Sequence, residues 1–127
     1  MAADERRFDS LTEQILQATF EVSNILSCGF LEKVYERALL KEVALQGIRA
    51  KTQVSYPVIY KGQCIGEYFA DLIVEDKIVL ELKCVDHLLN EHTAQCLNYL
   101  KASGHKLALL INFQRPKVQL KRIVREL

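Results

Sequence analysis

The sequence predicts an α/β (α+β) fold, with one mixed β-sheet flanked by helices in the order α-α-β-β-β-α-β plus a short tail. Three observations carry this. The chain opens with two segments whose apolar residues recur at helical spacing. A stretch rich in β-branched and aromatic residues then changes the period to two. A further helical segment separates that stretch from an unbroken apolar run, "KLALLINF". A helix between two strands implies a right-handed crossover and a mixed sheet.

The first helix is "SLTEQILQATFEVSNIL", opened by a capping box of Ser10 and Glu13. Leu11, Ile15, Ala18, Val22 and Ile25 form its apolar face. The second, "FLEKVYERALLKEVALQG", has Leu31, Val34, Ala38 and Val43 near one stripe and Gly47 as a stop. In "QVSYPVIYKGQCIGEYFADLIV" the turn falls at "KGQ", and Pro57 marks an edge strand or a bulge. The strand Ile78–Cys84 follows directly. "LLNEHTAQCLNYLKASG" is a helix ending near Gly104, and "KLALLINF" is a strand buried on both faces. The end, "PKVQLKRIVREL", reads as either strand or helix.

At 127 residues, half of them apolar, the chain fits a single domain, 1–127, with 1–9 expected to be a flexible N-terminus. A formal net charge of +1 excludes nucleic-acid binding by bulk charge. "MAADERRFDS" has no apolar stretch of the kind a secretory signal needs, and "LALLINF" is too short to span a bilayer. Cys28, Cys64, Cys84 and Cys96 form no C-x-x-C pair. They are expected to be reduced and mostly buried, in a cytoplasmic protein.

The stretch "DLIVEDKIVLELK" carries the chemistry. Side chains alternate across a strand, so Asp71 and Ile73 share one face, as do Val79, Glu81 and Lys83. Matching the apolar faces requires a turn at Glu75-Asp76-Lys77 that pairs Val74 with Ile78 and sets Asp71 opposite Glu81. A shift of two sets Asp71 opposite Lys83 instead. Either way the three charges cluster. Like charges directly opposite destabilise a ladder, by up to about 1 kcal/mol. A hard divalent cation removes the conflict, and Lys83 beside it can hold a water or a phosphate oxygen. The plainer reading is a surface hairpin with an ordinary ion pair.

Cys84, His87, His92 and Cys96 are zinc-ligand types. Cys84, however, ends a strand with no second chelating cysteine nearby, and structural zinc needs four convergent ligands. His87 and His92 are expected near the mouth of the cleft instead. The basic tail, Lys117, Lys121, Arg122 and Arg125, is a solvated face unless it borders the cleft, where Lys121 and Arg122 would contact nucleic-acid phosphates. Arg37, Lys41 and Lys101 are weaker candidates of the same kind.

Three segments occur together in order: "GFLEKVY", "ADLIVEDKIVLELK" and "AQCLNYL". With "LLINF" and "KRIVR", they make the chain resemble the GxxExxY protein family, a branch of the PD-(D/E)xK nuclease-like superfamily, from about Leu11 to Arg125. The resemblance implies a restriction-endonuclease-like core and a metal-dependent nuclease. Asp71, Glu81 and the backbone carbonyl of Leu82 would be ligands for Mg²⁺ or Mn²⁺, and Lys83 the catalytic lysine. Glu32 matches the helix glutamate of the first motif, and Gln95 and Tyr99 match a Q-x-x-x-Y helix. Ser23 stands where the family usually has histidine and Cys28 where it has proline.

The expected partner is nucleic acid, DNA ahead of RNA, with no membrane and with a homodimer as one arrangement. The alternative is a non-catalytic nucleic-acid- or protein-binding module that keeps the nuclease fold.

Overall fold

The computed structural model describes the backbone of residues 2–125 and the side chains of residues 9–125. The elements run α1 (Ala2–Leu26), α2 (Glu32–Leu45), β1 (Ala50–Tyr60), β2 (Gln63–Val74), β3 (Ile78–Lys83), α3 (Asn90–Ser103), β4 (Leu107–Asn112) and β5 (Gln119–Val124). The strands form one sheet in the order β1-β2-β3-β4-β5. β3 and β4, joined through α3, are parallel; the other three neighbours are antiparallel. The mixed sheet is as expected, and the undecided tail is a fifth strand.

Helices α1 and α2 cover one face of the sheet. Leu11, Ile15, Ala18 and Val22 of α1 and Leu39 and Val43 of α2 meet Leu72, Leu80, Leu82 and Ile111 there. Helix α3 covers the other face, where Cys96, Tyr99 and Leu100 meet Ile73, Val79, Ala108 and Leu110. All six residues of β4 are buried, as a central strand sandwiched by helices requires.

Turns follow residue chemistry. Lys61 and Gly62 both have positive φ (49° and 81°), the pair of left-handed residues of a type I′ hairpin. Val74 pairs with Ile78 across Glu75-Asp76-Lys77, as the alternation requires. The Glu75 carboxylate accepts the Arg49 N–H at 2.6 Å, which ties that turn to the start of β1. β1 is an edge strand containing Pro57, with a register shift between Val58 and Ile59. Gly104 ends α3 at φ 81°.

Four expectations are corrected. Helix α1 starts at Ala2, so Ser10 and Glu13 lie inside it and cap nothing. "AADERRF" is rich in good helix formers, and continuing the helix through it costs little. The flexibility expected of residues 1–9 falls almost entirely outside the described side chains. Second, Ile25 is exposed at the end of the α1 stripe. Third, the buried face of α2 is Tyr35, Glu36, Leu39 and Val43, while Leu31 and Val34 face outward. Tyr35 sets that rotation: its ring stacks on Phe113 at 4.5 Å and its hydroxyl donates to the Ser27 carbonyl at 2.6 Å. Fourth, Cys28 and Cys64 are exposed rather than buried, although all four thiols are free.

Candidate active site

β2 does not alternate evenly along its length. Leu72 and Val74 pack on the face of α1 and α2, yet Ala70 packs with Ile73 and Val79 on the α3 face. The alternation slips at Asp71. Across the hairpin, Thr52 pairs with Leu72 and Val54 with Ala70, which leaves Gln53 facing the same break. Gln53 is held at φ 50°, a left-handed conformation that a side-chain-bearing residue adopts only under external constraint. The constraint is visible, because its amide donates to Glu36 at 2.6 Å.

A cleft of about 260 Å³ opens at this break. Asp71, Glu81 and Lys83 line it from the sheet, Glu32 from α2, and Gln95 and Tyr99 from α3. Tyr68 and Phe69 of β2 complete the wall. Three consecutive residues at the end of β3 and just beyond it, Leu82, Lys83 and Cys84, tie the surrounding elements together. The Leu82 N–H donates to Asp71 Oδ2 at 2.7 Å, anchoring β2. Lys83 Nζ donates to Gln95 Oε1 at 3.2 Å, anchoring α3. The Cys84 N–H donates to Glu32 Oε2 at 3.3 Å, anchoring α2.

Behind Lys83 the backbone is latched. Lys83 lies beside Asn112 in the parallel pair, and its carbonyl accepts the Phe113 N–H at 2.9 Å. The Asn112 side chain is fully buried and fully used. Its oxygen accepts the N–H groups of Val85 and Gln114, and its amide donates to the Val85 carbonyl and to Gln119. Such a closed polar set holds one geometry.

The electrostatics match what the sequence implies. Burial, followed by the charge of Asp71, pushes the Glu81 carboxyl up to about 8. Glu81 Oε1 is buried with no hydrogen-bond partner. Burial also raises the Asp71 carboxyl; Glu36 and Glu32 add to the rise, against the Leu82 N–H and Lys83. Without a cation this carboxylate pair is therefore strained at neutral pH, and an orphaned buried oxygen is costly. A hard divalent cation fits such a donor set. Among the described residues no three carboxylate, thiol or imidazole groups converge to encage an ion by themselves. The remaining ligands would be backbone oxygen and water, as Mg²⁺ favours.

The site residues predicted from the sequence therefore divide. Asp71, Glu81, Lys83, Glu32 and Gln95 come together. Leu82 is present through its N–H. Tyr99 borders the cleft with its ring, but its hydroxyl donates to the Val54 carbonyl at 3.0 Å, and burial raises its pKa. Lys121 pairs with Leu110, which pairs with Glu81, so Lys121 lies in the same row and on the same face as the cleft. Arg122 alternates to the opposite face and meets Asp9 of α1 at 3.6 Å; the structure does not bring it to the site.

The zinc constellation does not assemble. Cys84 packs against the α1/α2 side and Cys96 is buried on the α3 side. His92 Nδ1 accepts the Leu89 N–H at the start of α3, and His87 meets Arg115; neither lines the cleft.

Sequence reasoning missed Glu36 and Gln53. Glu36 is nearly fully buried, and its charge acts on Asp71. Its spacing of four from Glu32 on one helix face was the available signal.

A five-stranded mixed sheet between helices, with an acidic pair and a lysine at its central break, defines a restriction-endonuclease-like protein. A model of the PD-(D/E)XK nuclease superfamily matches residues 9–123, and the chain belongs to that superfamily. Its nucleases generally use divalent metals and bind nucleic acid. Among solved structures, the crystal structure of SSO0001 matches with a TM-score of 0.57 at 21% identity, over 95% of this chain and 61% of that one. That likeness shows the fold, and this chain spans less than two thirds of that protein. A search of curated proteins finds no match. Among the described residues no helix is long and apolar enough to cross a membrane.

Proposed function

We propose that this chain is a metal-dependent nuclease of the GxxExxY branch, hydrolysing phosphodiester bonds in nucleic acid, DNA ahead of RNA. One observation carries the reading: Asp71, Glu81 and Lys83 share one cleft in which a carboxylate oxygen is buried without a partner.

Asp71, Glu81 and the Leu82 carbonyl would hold Mg²⁺ or Mn²⁺. When bound, the cation supplies Lewis-acid polarisation of a phosphoryl oxygen and makes its bound water more acidic. Lys83, steadied by Gln95, donates to a phosphate oxygen and stabilises the charge that builds there. Glu32, at the α2 end of the cleft, accepts a hydrogen bond from a water positioned there. The Tyr99 ring shapes the wall, and Lys121 on the same face contacts the phosphate backbone.

The test is calorimetric titration of Mn²⁺ into metal-free wild type and an Asp71→Ala/Glu81→Ala variant, followed by cleavage assays on labelled DNA. Wild type is expected to bind Mn²⁺ and cleave. The variant, folded by circular dichroism, is expected to do neither. A folded wild type that binds no Mn²⁺ and cuts no nucleic acid would sink the proposal.

A further inference from the structure

Two adjacent aromatic side chains of β2, Tyr68 and Phe69, are separated from Asp71 only by Ala70, and both border the cleft. Core aromatics of this size are normally covered, yet Phe69 is 57% exposed. Successive strand residues point to opposite sides, so one flat ligand meets only one of these rings face on. Tyr68 is tied to α3, its hydroxyl accepting from Asn98 Nδ2 at 3.4 Å. Phe69 has no such engagement and is the ring free to receive a ligand.

Charge points to the kind of ligand. Lys83 is the one basic side chain among the residues lining the cleft, against Asp71, Glu81 and Glu32. The whole chain carries a net charge of only +1. A polyanionic substrate therefore gains little from general attraction, and affinity must come from elsewhere. Stacking on an exposed ring supplies it without sequence preference, because every base has a π-face. In the interior of a duplex both faces of each base are already stacked. An unpaired base is free to take the ring.

We infer that Phe69 is a stacking platform for an unpaired nucleobase, and that the substrate class of the cleft is single-stranded nucleic acid. The inference rests on the nuclease reading above and narrows its substrate.

The chain contains no tryptophan, so Phe69→Trp places a unique reporter at the platform. Full-length Phe69→Trp is titrated with oligo(dT) and with a blunt duplex of equal length, in Ca²⁺. Tryptophan fluorescence is expected to be quenched by oligo(dT) and unchanged by the duplex. Phe69→Ala is expected to weaken oligo(dT) binding about 5- to 100-fold. Its thermal melting should be unchanged, because the side chain is exposed. Ile65→Ala, a comparably exposed residue of the same hairpin outside the cleft lining, is expected to leave binding intact.

Absent quenching, equal affinity for duplex, or equal binding by Phe69→Ala would each overturn the platform. So would an equal loss in Ile65→Ala. Cleavage by wild type in Mn²⁺ separates the two readings. Quenching without cleavage supports the platform and removes the nuclease. Cleavage with Phe69→Ala binding unchanged removes the platform alone. A wild type that neither binds nor cleaves removes both.

Discussion

β2 behaves as two strands of different character. From Ala70 to Val74 it is buried or nearly so and packed between helices, and its last three residues pair with β3. From Gln63 to Phe69 it is exposed, paired only with the outer part of β1. The inner part holds the fold together. The outer part forms an arm whose apolar side chains, Ile59, Ile65 and Phe69, face solvent. Asp71 sits at the boundary. Under the proposed stacking role, stability and substrate contact fall to different halves of one strand, and the acidic site lies where they meet.

The largest test of this contrast is on the core side. Leu80→Ala, at a fully buried position of β3, should cost about 2–5 kcal/mol in chemical denaturation. Ile65→Ala on the arm should stay within about 0.5 kcal/mol. Comparable losses at the two positions would erase the distinction.

The next effect concerns pH in the absence of metal. The folded chain keeps the Glu81 proton up to about pH 8, whereas an unfolded glutamate releases it near its ordinary 4.5. Between those values the native state binds more protons. Stability in EDTA therefore falls as pH rises from about 4.5 to about 8, then levels off. The raised Asp71 acts in the same direction. The swing is on the order of a few kcal/mol. Melting temperature followed across this range checks it, and Glu81→Gln should flatten the slope.

Asn112→Ala leaves the N–H and carbonyl of Val85 without their partner. It should cost about 1–3 kcal/mol in denaturant melts. The smallest effect is expected of Tyr99→Phe, which removes only the bond to Val54. It should cost about 1 kcal/mol and leave the cleavage rate within a few-fold. A large rate loss would give that hydroxyl a chemical role.

The acidic hairpin was legible because burial of one face leaves little freedom in register: Val74 had to meet Ile78, and Asp71 had to approach Glu81. Gln95 was legible through its motif, and its meeting with Lys83 follows from the crossover. The Glu36–Gln53 pair was not legible, because it joins a helix to a strand and depends on a backbone conformation that only the folded context enforces. The rotation of α2 was set by Phe113, far along the chain, so local periodicity selected the wrong stripe. Lys121 and Arg122 looked equivalent until the tail was a strand; alternation then sent them to opposite faces. The partner of the Tyr99 hydroxyl is a backbone carbonyl in β1, which no side-chain pattern announces.

The Asn112 latch has a mechanical consequence. It fixes the chain leaving Lys83, so the lysine's side of the cleft is a stationary anvil. The facing wall, Tyr68 and Phe69, belongs to the exposed outer part of β2, where Tyr68 meets Asn98 of α3. The spacing among the groups on β3 is therefore set by the backbone behind them and not by that wall.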